Sequence, residues 1–156
     1  MVHQTSAADT NAEASATVEL ARFQKQRVLS LESYKKSGEP KRTPVIFVEL
    51  DRKLYFQTAL KSWKAKRVLK NPNVRVAPST FRGTPKADWL HATATKVEVE
   101  EEVKRIRSAF GKKFGFLSRI TFFLEQIAWG EIGFFCVNLD LSRPQVSQAL
   151  DAGERN

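Results

Sequence analysis

The sequence predicts a mainly β chain with short helices at its connections, an antiparallel barrel or curled sheet of the α+β kind. Three observations lead there. β-Branched and aromatic runs recur between polar turns, as in "TPVIFVELDRKLYFQTAL". Helical spacing is confined to short stretches that fall between such runs. The chain has 156 residues, enough for one domain with a real core and too few for two comfortable ones.

The elements follow in order. Residues 1–17 are small and polar and are expected to form a disordered tail, with a short helical segment from Leu20. "QRVLSLESYKKSGEPKRTPVIFVEL" holds two apolar runs around a Lys-Ser-Gly-Glu-Pro turn, which reads as a hairpin with Tyr34, Lys35 and Lys36 in a solvated turn. A polar turn at Asp51, Arg52 and Lys53 leads to a third strand and completes a meander. Ser62 offers a helix cap and Asn71-Pro72 a stop, so one short helix lies between them. "NVRVAPS" and "LHATATKVE" return to strand chemistry around a turn near residues 82–85. Val103, Ile106 and Phe110 stand at helical spacing behind acids that suit a helix N-terminus. A second helical stretch carries Phe116, Ile120, Phe123, Leu124 and Ile127, and "GEIGFFCVNLDL" closes with a strand. The folded domain is expected over residues 18–141, with a tail at 142–156.

Composition narrows the function. One cysteine, Cys136, excludes an internal disulfide and leaves no thiolate cluster for a metal. No run reaches the roughly 18 apolar residues of a membrane span. A soluble, cytoplasmic protein is expected. The net charge is +9, yet residues 22–70 alone carry fourteen basic and four acidic side chains. That basic half suggests an anionic partner.

The sharpest stretch is "LKSWKAKRVLK". At about 100° per residue, Ala65, Val68 and Leu69 fall on one side of a helix and Lys64, Lys66, Arg67 and Lys70 on the other. An amphipathic surface helix with a solvated basic face accounts for that pattern. Against it, Lys61 and Lys64 flank the N-terminus, where the macrodipole disfavours cations. A phosphate there would make the amides, the Ser62 hydroxyl and the Lys64 ammonium favourable together, with Trp63 as a flat wall. Nucleic-acid binding is not expected: Tyr55 and Phe56 are adjacent and point to opposite strand faces, and no single-strand-binding motif is present.

At these residues the chain resembles the FMN-binding split-barrel superfamily that includes pyridoxamine 5'-phosphate oxidase, and within it the flavin/deazaflavin branch that depends on coenzyme F420. The pieces "TPVIFV", "FQT", "SWKAKR", "NPNVRVAPS", "RGTP" and "LHATATKVE" come in the family's order, and the resemblance runs over about residues 21–141. It implies a split β-barrel, a homodimer and hydride transfer between the cofactor and a small conjugated substrate. It implies a ring lying against residues 43–48, which makes Thr43 and Val45 candidate contacts. Gln57 and Thr58 match the strand-end pair of the oxidases, and Ser62 and Lys64 match the hydroxyl and lysine of their phosphate cradle. Trp63 stands where the oxidases carry Arg, with Lys61, Lys66 and Arg67 as further cations. That departure, and the lack of a C-terminal substrate-binding arginine segment, argue against the vitamin-making activity.

The cations Lys61, Lys64, Lys66, Arg67, Lys70 and Arg75, with Lys41 and Arg42, favour F420, whose phosphodiester continues into a glutamyl tail. FMN is the alternative cofactor, and a non-enzymatic flavin, deazaflavin or haem binder the alternative function. No catalytic residue and no metal ligand is assigned, since such a cofactor carries its own reactivity. His91 reads as a structural strand residue, Cys136 as core. Phe110, Phe114, Phe116, Phe122, Phe123 and Trp129 read as packing for helices and a second subunit.

Overall fold

A computed structural model describes residues 7–115 and 130–142 of the chain. Six strands, β1 (Val28–Tyr34), β2 (Pro40–Leu50), β3 (Lys53–Ala59), β4 (Asn73–Pro78), β5 (Leu90–Lys96) and β6 (Ile132–Leu139), form a closed antiparallel barrel in the order β1-β2-β3-β6-β5-β4. The helices are α1 (Ala7–Ala21), α2 (Trp63–Lys70) and α3 (Glu100–Phe114). The expected meander is β1 to β3. The second helical stretch and the aromatics Phe116, Phe122, Phe123 and Trp129 lie outside the described residues.

Alternation along each strand divides two cores. Leu29, Leu31, Phe47, Phe56, Val74, Val76, Ala92 and Phe135 point into the barrel, where Phe56 and Phe135 stack 5.1 Å apart. Tyr55, Val48, Phe134 and Cys136 point outward and are covered by Ile106 and Phe110 of α3. The sequence spacing of Val103, Ile106 and Phe110 thus marks the face that docks, and burial pushes the Cys136 thiol up. The α3 N-terminus carries Glu100, Glu101 and Glu102, and the Tyr55 hydroxyl donates to Glu102 at 3.1 Å.

The barrel interior is plugged at both ends. Leu20 and Phe23 fill one end, with Phe23 edge-on to Phe47 at 5.8 Å. Ala65 and Val68 of α2 fill the other. Leu69, expected on the buried side, is 54% exposed, because only Ala65 and Val68 of that side of the eight-residue helix reach the core.

Residues 7–21 are helical, which corrects the expectation of a disordered tail to residue 17. The stretch holds six alanines, the strongest helix former, and few apolar groups are needed when another element supplies the anchor. That anchor is Arg52, whose guanidinium donates to the Glu13 carbonyl at 2.9 Å and to Thr17 Oγ1 at 2.8 Å. Arg52 and Asp51 form the two-residue β2–β3 turn at φ +65° and +49°, as such hairpins require. Asp51 in turn accepts from Arg105 of α3 at 2.5 Å.

Candidate functional site

The site is built where β1, β2 and α2 meet. Ser62 caps α2 from extended backbone (φ −66°, ψ 152°) and accepts from the Ala65 amide at 3.2 Å. Its hydroxyl also lies 3.2 Å from Thr58 Oγ1, which fixes the helix start to the end of β3. No acid stands in the first turn of α2. The sequence signal of Ser62 therefore reads true as a cap.

Two cavities adjoin this helix. A cradle of about 290 Å³ is lined by Lys41, Arg42 and Thr43 of β2 and by Ser62, Trp63, Lys64 and Arg67. Thr43 is one of its lining residues, and its Oγ1 is buried with no hydrogen-bond partner among the described residues. A groove of about 880 Å³ lies between the β1–β2 hairpin (Tyr34, Lys35, Lys36, Lys41) and the outer side of α2 (Trp63, Lys66, Arg67, Lys70, Asn71). Among the described residues, five lysines and one arginine line it and no acid does. Trp63 is 75% exposed and carries the Lys66 ammonium 4.8 Å from its ring centre.

Of the candidate residues, Thr43, Ser62, Trp63, Lys64 and Arg67 come together in the cradle, and Trp63, Lys66 and Arg67 in the groove. Thr58 supports Ser62 without lining either. Val45 points into the barrel opposite Leu29, and Gln57 is buried on the outward face opposite Phe134. Lys61 is exposed and packs beside Gly130.

The charge count needs correction. Glu32, fully buried on β1, lies opposite Arg42 on β2 and Arg75 on β4. It accepts from Arg42 Nε at 2.7 Å, from Arg75 Nε at 2.6 Å and from the Tyr34 hydroxyl at 2.9 Å. The buried Trp89 ring lies 4.9 Å from the Arg42 guanidinium and 5.7 Å from that of Arg75. Burial pushes the Glu32 carboxyl up, but the bonds from Arg75, Arg42 and Tyr34 outweigh it and hold the group below its ordinary value. Arg42 and Arg75 thus serve a structural hub rather than an anion track. Tyr34, expected in a solvated turn, ends β1 half-buried, and burial with the Glu32 contact pushes its hydroxyl up to about 12. Lys35 and Lys41 share the exposed Glu39 at 3.0 and 2.9 Å. The Lys41 and Lys35 contacts lower that carboxyl to about 2.

Sequence reasoning missed Glu32, Tyr34, Ser33 and Trp89. The one signal for Glu32 was an acid inside the apolar run "VLSLESY"; its partners lie 10 and 43 residues away and follow from strand register. His91 is half-exposed on β5, opposite Arg75. Among the described residues no three His, Cys, Asp or Glu side chains gather as a metal site, and no helix is long and apolar enough to cross a membrane.

No protein-family model matches the chain, and no curated protein does. Solved structures do. The haem storage protein HutZ of Vibrio cholerae is similar with a TM-score of 0.63 at 20% identity, over 83% of this chain and 92% of that one. A protein of the pyridoxinephosphate oxidase family from Clostridium acetobutylicum, related to general stress protein 26 of B. subtilis, gives 0.58 at 12%, over 81% and 84%. A FAD-binding protein of Mesorhizobium loti gives 0.55 at 16%, over 80% and 87%. At such identities the likeness concerns the fold, and the fold is the split barrel that the resemblance implies.

Proposed function

We propose that this protein is an oxidoreductase that holds a phosphorylated flavin-type cofactor at α2, with coenzyme F420 as the favoured member and FMN as the alternative. The observation that carries the reading is a cradle walled by Lys64 and Arg67 at the Ser62-capped start of a helix with no acid in its first turn. A phosphate suits that setting: the cations neutralise it, the helix start favours it, and a turn of the Thr43 side chain would bring its hydroxyl to it as a donor. The likeness to a FAD-binding protein and to a protein of the pyridoxinephosphate oxidase family agrees with this reading. The preference for the deazaflavin rests on the groove, whose cations continue from the cradle and suit an anion longer than a monophosphate.

When bound, such a cofactor supplies a hydride-accepting and hydride-donating carbon for a small conjugated substrate. The chain's residues bind and orient. Ser62 and Thr58 fix the helix start, Lys64 and Arg67 neutralise the phosphate, and Trp63 offers both cavities a flat apolar wall. Pairing as a homodimer and a cytoplasmic location belong to the same proposal.

A carrier that binds without turnover is the second reading, favoured by the likeness to a haem storage protein. Titrating the protein with F420 and with FMN, and following tryptophan fluorescence, tests the first reading; the exposed Trp63 makes quenching the expected signal. Lys64→Ala should weaken binding about tenfold, the scale of one charge-assisted hydrogen bond, with the circular dichroism unchanged. Unchanged affinity in that variant would remove the cradle assignment. Binding with no cofactor reduction by any electron donor would favour the carrier.

A further inference from the structure

The cradle and the groove share three wall residues: Lys41, Trp63 and Arg67. Lys41 is bridged to Glu39, and Trp63 presents a ring rather than a charge. Arg67 is placed differently. Its Nε donates to Ser33 Oγ at 2.8 Å, and Ser33 is fully buried at the end of β1, next in sequence to the Glu32 hub. A guanidinium is planar, so a bond at Nε sets the plane in which its terminal nitrogens lie. Here that plane stands on the wall between two cavities lined by cations. Arginine stays charged even when partly desolvated.

We infer that Arg67, aimed by Ser33, serves both cavities at once and selects a ligand with two anionic groups along one chain, one for the cradle and one for the groove, over a simple phosphomonoester. Ser33 is the positioning residue, since it has no exposed surface of its own to offer a ligand. The physical gain is preorganisation: a side chain already fixed loses less conformational freedom when the ligand arrives. The identity of the ligand rests on the function proposed above; the preference for two anions does not.

The test is calorimetric titration of the full chain with orthophosphate and tripolyphosphate, and with FMN and F420, for wild type, Ser33→Ala and Arg67→Lys. The two-anion ligand of each pair should bind more tightly to wild type. Ser33→Ala should reduce that preference about tenfold, the size of a hydrogen bond to a charged group, and leave the one-anion ligand within about twofold. Arg67→Lys keeps the charge and the buried serine but loses the fork, and should reduce the preference as well, which guards against misfolding of the serine variant. Equal losses for both members of a pair, or no loss, would overturn the inference. Selectivity between the inorganic probes without binding of either cofactor would leave it standing and defeat the proposed function. Cofactor binding without selectivity would do the reverse.

Discussion

Thr43 and Glu32 are buried polar groups on neighbouring strands, and their surroundings treat them in opposite ways. Among the described residues Glu32 has three donors, whereas Thr43 Oγ1 has none. A buried unpaired hydroxyl costs about 1–3 kcal/mol. Thr43→Val, nearly isosteric, should therefore keep or raise the melting temperature of the ligand-free protein while weakening phosphate-bearing ligands severalfold. A lower melting temperature with unchanged affinity would show that the hydroxyl is structural. At this scale the sequence was partly readable. Ser62, Lys64 and Arg67 could be placed because a cap and its helix are local. Arg42 and Arg75 could not, because a charge count does not see which cation faces a buried acid across a sheet.

Among the elements, α2 and β6 depend on one another through a glycine. A Cβ at Gly133 would lie 2.3 Å from Cδ2 and 3.1 Å from Cγ of Leu60, which packs on the barrel core just before α2. Gly133 also pairs with Thr58, the residue that contacts Ser62. Gly133→Ala should displace Leu60, cost about 1–3 kcal/mol as overpacked cores do, and loosen ligand binding with it. Urea unfolding beside a ligand titration checks both; an unchanged midpoint would mean that Leu60 has room to turn. The strands and α2 were legible because β-branched runs, turn residues and a serine cap are written locally. α1 was not: its alanine-rich stretch resembles a tail in hydropathy, and its anchor is an arginine 31 residues beyond its end.

For the whole molecule, the decisive pairings are β1 with β4 and β3 with β6, which close the barrel. Strand periodicity predicts a barrel class but not which strands meet, since non-local register leaves no mark in a single sequence. Glu32 sits on this closure and joins β1 to β2 and β4. Its carboxyl lies below its ordinary value of 4.5 in the folded state, so the unfolded chain takes up the proton first as pH falls. Its contribution is fully present above that value and is lost as pH drops through the folded one. Glu32→Gln leaves two arginines without their carboxylate and should cost about 3–5 kcal/mol. The difference from wild type should shrink as the pH is taken from 7 towards 3 in denaturant titrations. Parallel acid limbs in the two proteins would place the acid sensitivity elsewhere.

The closed strand order also decides how copies of this chain can meet. In the barrel every strand has a neighbour on each side, but not along its whole length: β2 meets β3 only over Phe47–Leu50, so its first half, residues 40–46, has β1 alone beside it. Backbone-to-backbone extension, the route by which open sheets recruit extended peptides or grow into fibrils, is left only that short stretch, where Pro40 and Pro44 lack an amide proton and Lys41 and Arg42 add charge. Among the described residues, self-association is then left chiefly to side chains, and point mutations at exposed positions can retune it without touching the sheet.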